Sequence, residues 1–345
     1  MNEKKKIVFI VNPISGTHNK KFILSQLHER IDPNKYDIEI KYTERAGHAE
    51  EIAANAAADG VYCVTAIGGD GTINEIARSL IHTKTILGII PCGSGNGLAR
   101  HLRIPMDARK AIDIINEGNI SVIDYGKIND KPFFCTCGVG FDAFVSLKFA
   151  AAGKRGILTY LEKTLHESLK YKPETYEVQS DDRKTSHKAF LIACGNASQY
   201  GNNVYIAPKA SLQDGLMNVT ILEPFTVLDV PSLAFQLFNQ TLDQNSRIKS
   251  FKSKKIHIHR THPGVVHFDG DPIMMDEEID IEIIPKGLYV IAPEETGKEQ
   301  NALQKASDYF GFLKPMGESI VLDIAQKNRQ ILDRNIRLIK KLKRK

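Results

Sequence analysis

With 345 residues, 42% of them hydrophobic and 25% charged, the chain exceeds one ordinary core and has the composition of a two-domain globular protein. Its formal charge of +5 is a tail effect: positions 327–345 hold nine basic residues against the single acid Asp333, a surplus of +8 that leaves −3 for the rest. An acidic body argues against nucleic acid as a partner, since that needs positive charge on the folded surface, and no apolar run approaches the roughly 18 residues of a spanning helix.

The N-terminus enters the short apolar run Ile7–Val11 directly from Lys4, Lys5 and Lys6, and Asn12-Pro13 ends it too early for a signal peptide. It is predicted to be a first buried strand. Lys20–Arg30 reads as a helix, Tyr36–Tyr42 as an alternating strand and His48–Ala58 as an alanine-rich helix. Val61–Ile67, Ile73–Ile81, Thr85–Pro91 and Ala108–Asn116 continue as strand, helix, strand and helix. Such alternation is the mark of a parallel α/β sheet.

Beyond Val122 the texture changes. Ile123–Ile128 and Pro132–Val139 flank Asn129-Asp130, the pattern of a hairpin with a tight turn. Further β patterns lie at Tyr176–Gln179, Ala189–Cys194, Met217–Leu222, Lys255–His259, Val265–Asp269, Ile279–Ile284 and Leu288–Ile291. Only Leu158–Leu169 and Val227–Leu242 look helical there. The expectation is an α/β nucleotide-binding domain over residues 1–122, to which about 286–300 could return, a mostly antiparallel β domain over 123–285, and a helical basic extension over 301–345. Five cysteines without a CxxC pair, four of them in apolar runs, suit a reducing compartment, so the cytoplasm is the expected location.

Three glycine-rich turns each follow a predicted strand: Asn12-Pro13-Ile14-Ser15-Gly16, Gly68-Gly69-Asp70-Gly71-Thr72 and Gly93-Ser94-Gly95-Asn96-Gly97. In a parallel sheet they fall at the carboxyl ends of the strands, where open α/β folds bind ligands. A βα turn wants glycine for its own sake, and any one loop is explained that way. Three on one sheet edge suggest main-chain amides gathered around an anion. Thr72-Ile73-Asn74-Glu75 has the capping-box pattern of a helix start, which adds an anion-favouring dipole end. Asp70 beside such a loop is unfavourable unless a cation lies between, and magnesium is the usual bridge. No GxxxxGK[ST] string occurs, so this is not a P-loop protein.

The strings VNPISG, YTERAGHAEEIA, AIGGDGTINEIA, GIIPCGSGNGLAR, GVGFDA, SLQDGLMNV and HFDGDP, in this order, resemble the diacylglycerol kinase catalytic-domain family, which includes sphingosine and ceramide kinases. The resemblance spans roughly residues 5–292. It implies a Rossmann-like domain of the NAD kinase and diacylglycerol kinase type, a β-sandwich second domain, and ATP and Mg2+ in the cleft between them. On the matching positions it implies nucleotide contacts from Asn12, Ser15, Gly16, Thr43, Gly68, Gly69, Asp70, Gly71, Thr72, Asn74, Glu75, Gly93, Ser94, Gly95 and Asn96. It further implies a structural magnesium held by Asp214 with the carbonyls of Ser211 and Leu216; the plain alternative is an Asp-Gly turn.

A lipid hydroxyl must lose a proton as it attacks, so a carboxylate facing the nucleotide is needed. Asp271 is the expected base and Asp70 the alternative; the family usually has Asp-Gly-Glu where this chain has Asp269-Gly270-Asp271, one methylene shorter. Asp124 and Asp142 fit structural roles better, and His257 with His259 reads as a solvated strand face. Gly97 replaces an acid typical of bacterial diacylglycerol kinases, and the resulting GSGN form resembles sphingosine kinases. The acceptor implied is therefore diacylglycerol or, more in keeping with GSGN, a sphingoid base or ceramide. An NAD kinase-like enzyme and a non-catalytic nucleotide- or lipid-binding regulator are the rival readings.

The tail from Ser319 carries the apolar stripe Val321, Ile324, Ile331, Leu338 and Leu342, interrupted by Asn328 and Asn335. Laid on an anionic membrane, its cations would contribute about 1 kcal/mol each, which would put the protein at the inner face of the membrane. The same stripe suits a coiled coil, under which the chain would form a homodimer. A solvated tail is the third reading.

Overall fold

The computed structural model describes residues 3–16, 20–152, 171–181 and 183–294. The predicted helix Leu158–Leu169 and the basic tail lie outside the described residues.

In chain order the N-terminal part runs β1 (Lys5–Val11), α1 (Lys20–Arg30), β2 (Tyr36–Tyr42), α2 (His48–Ala58), β3 (Cys63–Gly68), α3 (Asp70–Leu80), β4 (Ile86–Pro91), α4 (Gly97–His101) and α5 (Ala108–Glu117). Strands β1, β3 and β4 are apolar because helices cover both faces of the sheet; Ile7, Phe9, Ile10, Val64 and Ile90 are fully enclosed or nearly so. α5 shows how local sequence sets a helix: the Asp107 side chain accepts the amides of Arg109 and Lys110, and Gly118 ends the helix at φ +70.

The second part holds β5 (Ile120–Ile128), β6 (Lys131–Phe133), β7 (Thr136–Gly140), α6 (Phe141–Ala152), β8 (Glu174–Ser180), β9 (Arg183–Ala189), β10 (Leu191–Gly195), β11 (Met217–Leu222) and α7 (Val230–Asn239). It ends with β12 (Ile248–Ser253), β13 (Lys255–Arg260), β14 (Gly264–Phe268), β15 (Asp271–Met275) and β16 (Glu278–Ile291). One sheet has the order β2-β1-β3-β4-β16-β13-β8-β9, with β5 and β6 attached through β16; the other is β12-β11-β10-β7-β14-β15. The first is parallel from β2 to β4 and antiparallel beyond β16, while the second is antiparallel throughout. The antiparallel half of the first sheet packs on the second as a sandwich whose core includes Phe133, Cys137, Tyr176, Ile192, Val219, Ile258, Val266 and Ile281.

Several elements differ from expectation. Ile279–Ile284 and Leu288–Ile291 form one strand, β16, with a bulge between Ile284 and Leu288 where Lys286 takes φ +55. Its second half pairs with Ile120–Ile123 and lies beside β4. The single strand expected over 132–139 is broken into β6 and β7, because the amides of Phe134 and Cys135 leave the ladder for the Asp269 carboxylate. Phe141–Ala152 is a helix; its mostly apolar sequence has no clear period to announce it. β9 and β12 carry too many polar residues on their exposed faces to stand out in sequence, and β15 is five residues long with Pro272 inside it.

The bulge and the preceding β11 approach are pinned by Asp124, which is 1% exposed. Its two oxygens accept the amides of Gly215 (2.7 Å) and Lys286 (2.8 Å), and its own amide donates to the Leu212 carbonyl (2.7 Å). Replacing it leaves two main-chain donors without a charged acceptor. Asp124→Ala is expected to lower stability by about 2–4 kcal/mol, measured by urea unfolding with an unchanged m-value.

Candidate active site

The three glycine loops meet at the tips of β1, β3 and β4, and backbone touches backbone. Gly16 takes φ +63, and a methyl group there would lie 1.6 Å from the Cys92 carbonyl oxygen. One on Gly93 would come within 2.7 Å of the Gly69 Cα, and one on Gly95 within 2.7 Å of Asp70 Oδ2. At these positions the absence of a side chain is what permits the approach. Gly71 is different: a side chain there would meet open space. The first loop is tied to the second by Asn12, whose Nδ2 donates to Thr72 Oγ1 (3.0 Å), while its Oδ1 accepts the Ile14 amide (3.2 Å). Ser15 folds its hydroxyl back on the Asn12 carbonyl (3.0 Å), and the buried Thr43 closes the β2 end by donating its amide to Val11 (2.9 Å). Asn74 is buried on α3.

The capping box is not formed. α3 starts at Asp70 with Gly69 as its N-cap, three residues earlier than the Thr72 pattern requires, and no side chain caps it. Thr72 spends its hydroxyl on Asn12, and Glu75 reaches away to accept the amides of Gly47 (3.0 Å) and Ala49 (3.2 Å) at the start of α2. Glu75 thus holds a neighbouring helix in place.

Asp70 also finds a protein partner. Its Oδ2 accepts the Asn96 amide and its Oδ1 the Gly97 amide, both at 2.7 Å. Burial raises its pKa, opposed by these two donors and by Arg100. The carboxylate therefore clamps the third loop. Four lone-pair positions with two occupied still leave room for the water shell of a magnesium ion. Asn96 completes the third loop from within, Oδ1 on the Gly93 amide and Nδ2 on the Gly93 carbonyl. Ser94 lies in the same loop, between the two glycines.

Lys20 Nζ is buried at the loops beside Cys92, where its charge pulls the thiol pKa down against the larger effect of burial. Open backbone around Gly71, main-chain amides and this buried ammonium together suit a polyphosphate. Sequence reasoning missed Lys20 because its helix start carries no motif.

The sandwich presents the β14–β15 hairpin to this edge. Asp269 (φ +50) and Gly270 (φ +89) form a two-residue turn of the kind Asp-Gly favours. The Asp269 carboxylate is buried and accepts three amides, from Phe134, Cys135 and Thr136, at 2.7–3.0 Å. Burial nevertheless pushes its pKa up to about 6. Asp271, on the far side of the turn, is exposed and paired through Oδ2 with Arg78 of α3 at 3.1 Å. Arg78 was not among the sequence-derived candidates; its partner is 193 positions away.

The proposed structural magnesium residues present a different picture. Asp214 Oδ2 is 2.6 Å from Lys252 Nζ and its Oδ1 accepts the Leu216 amide, while the Ser211 hydroxyl accepts the Gln213 amide. Among the described residues no group of three His, Cys, Asp or Glu side chains is placed to hold a metal ion. Asp214 thus spends its carboxylate on the Lys252 ammonium and the Leu216 amide, and the carbonyls of Ser211 and Leu216 are the other donors expected of this loop. Asp142 is buried beside His267 (3.0 Å) and Tyr200 (3.2 Å). His257 and His259 pair with Glu278 on an exposed strand face.

Glycine loops at parallel strand tips, faced by a hairpin from an antiparallel sandwich, define the fold of a two-domain kinase. The diacylglycerol kinase catalytic domain matches residues 6–128, and the YegS C-terminal NAD kinase beta sandwich-like domain matches residues 135–292. The chain belongs to this family of lipid kinases: the probable lipid kinase YegS of Salmonella arizonae is 30% identical over 263 residues, covering 74% of this chain and 86% of the relative. An uncharacterized protein of Synechocystis is 27% identical over 305 residues, 83% of this chain and 70% of that one. Among solved structures, a putative diacylglycerol kinase from Bacillus anthracis has the same fold, with a TM-score of 0.72 at 23% identity over 84% of this chain and 96% of that one. Among the described residues no helix is long and apolar enough to cross a membrane.

The raised pKa of Asp269 makes a signed prediction. Between 3.8 and about 6 the folded protein binds the extra proton, so this group stabilises the fold fully below about pH 4 and less as pH rises through about 6. Asp269→Asn does not titrate. The stability gap by which wild type exceeds it should narrow by roughly 3 kcal/mol from pH 4 to pH 7, about two pKa units at 1.36 kcal/mol each. Guanidinium unfolding of both proteins at the two pH values measures this; a gap that widens would show that the three amides outweigh burial.

Proposed function

We propose that this kinase transfers the γ-phosphoryl group of Mg-ATP to the hydroxyl of a long-chain membrane lipid, diacylglycerol or a sphingoid base or ceramide. The observation that carries the proposal is the convergence of three glycine loops whose backbones touch, with the buried Lys20 ammonium beside them. Main-chain amides and the start of α3 would hold the polyphosphate. A bound magnesium ion would supply neutralisation of charge on the β- and γ-oxygens, and Asp70 is the residue with lone pairs left to orient its water shell.

Asp271 takes the role of base. The lipid oxygen forms its bond to Pγ, the bond from Pγ to the β–γ bridging oxygen breaks with its electron pair going to ADP, and the hydroxyl proton passes to Asp271. Asp70 is less suited to that role because both its oxygens face loop amides. The GSGN loop favours a sphingoid base or ceramide. The Ser319–Lys345 stripe, laid on anionic lipid, would bring the site to its acceptor, and vesicle binding that survives deletion of that segment would remove it from the proposal.

A radiolabel transfer assay over diacylglycerol, sphinganine, ceramide, undecaprenol and NAD should label one of the lipids; labelling of NAD alone would make the chain an NAD kinase-like enzyme. Asp271→Asn is expected to lower kcat by about a hundred- to ten-thousand-fold while Mg-ATP still binds by calorimetry. Retained turnover would move the base elsewhere, and absence of any heat from Mg-ATP with the folded wild type would remove the nucleotide site itself.

A further inference from the structure

Arg78 lies on α3, the same helix that begins at Asp70, eight residues or about 12 Å further along the axis. Its guanidinium donates to Asp271 Oδ2 at 3.1 Å and sits 5.4 Å from the centre of the Phe268 ring. Phe268 and Asp271 are cross-strand partners at the root of the Asp269-Gly270 turn. One side chain from the nucleotide-binding half therefore grips both sides of the hairpin that carries the base. The side chain of Arg78 is only 20% exposed, whereas that of Asp271 is 57% exposed. The anchor is fixed by its surroundings and the carboxylate is not.

We propose, resting on the reading of Asp271 as the base, that Arg78 is the positioning residue that aims Asp271 at the acceptor hydroxyl and that it compensates for the shortness of an aspartate at this place. The argument is one of reach and order. An exposed aspartate on an edge strand is free to rotate, and a catalytic group misplaced by about 1 Å can lose about a hundredfold in rate. The guanidinium takes Oδ2 and so selects the rotamer. Oδ1, which accepts no hydrogen bond from a described residue, is left as the atom that receives the proton. Arg78 also brings the hairpin to α3, so the distance from loop-bound phosphate to carboxylate is set by one rigid helix. A longer glutamate would cover part of that distance alone.

A merely stabilising pair makes a different prediction. An ion pair with so exposed a carboxylate contributes little to folding, so its loss would hardly register in either stability or turnover. Buried Arg78 Nε, which has no acceptor among the described residues, adds no stabilising bond either.

The test uses the full chain with the lipid that wild type labels best, and compares Arg78→Gln, Asp271→Glu and the double variant. Wild-type transfer is measured first: no lipid labelled there sinks the parent reading and this inference with it. With wild type active, Arg78→Gln should lower kcat by about 10- to 100-fold with the KM for ATP and the Tm little changed. Adding Asp271→Glu to Arg78→Gln should recover at least about tenfold of that loss, a coupling that independent residues would not show. An Arg78→Gln enzyme at wild-type kcat, a loss of rate that tracks a lower Tm or weaker Mg-ATP binding, or no recovery in the double variant each overturns the inference while leaving the lipid kinase reading in place.

Discussion

The cleft of this protein depends on carboxylates accepting main-chain amides. Asp70 holds the third glycine loop, Asp269 holds the junction between β6 and β7, Asp124 holds the bulge of β16, and Glu75 holds the start of α2. An anion bonded by two or three peptide N–H groups is satisfied without a counter-ion, and each such bond is stronger than a neutral one. Loops that would otherwise carry unpaired donors are thereby fixed in one geometry. For Asp269 the accounting is tight, because full burial raises its pKa even against three donors.

This chemistry also separates what the sequence disclosed from what it could not. The glycine loops were legible because close backbone approach demands a residue type, and Gly16, Gly93 and Gly95 all stand where a side chain would collide. The parallel strands were legible because burial on both faces leaves an unbroken apolar run. The roles of Glu75 and Arg78 were not legible, since what they touch is 26–28 and 193 positions distant. Thr72-Ile73-Asn74-Glu75 misled for the same reason: its residues match a local cap, yet tertiary partners claim both ends of it. The amides of Asn96 and Gly97 on Asp70 were likewise invisible from the order of residues.

The third loop is held from two directions. Asp70 grips it from α3, and residues 198–203 of the second part dock on its other side. A methyl group on Gly201 would come within 2.9 Å of the Gly95 Cα, and the Asn202 amide donates to the Gly95 carbonyl at 3.3 Å. Arg100 closes the same carbonyl with its Nε at 2.8 Å and reaches Asn203 Oδ1 at 3.4 Å. His101, at the end of α4, accepts the Ser198 amide on Nδ1 at 3.0 Å. Burial pushes the pKa of His101 down to about 4, so this acceptor stays unprotonated near neutrality.

A phosphate that displaced the third loop would consequently meet resistance from both halves of the molecule at once. Among the described residues, links between the half that carries Asp271 and the N-terminal half include β16 in the shared sheet, the clasp on α4, and Arg78 at the hairpin. The first two are built from backbone and buried groups. Only the third ends on an exposed side chain, and it is the one nearest the proposed proton transfer. On the proposed function, rigidity is concentrated where the polyphosphate would be held, and the adjustable contact lies where an acceptor hydroxyl would enter.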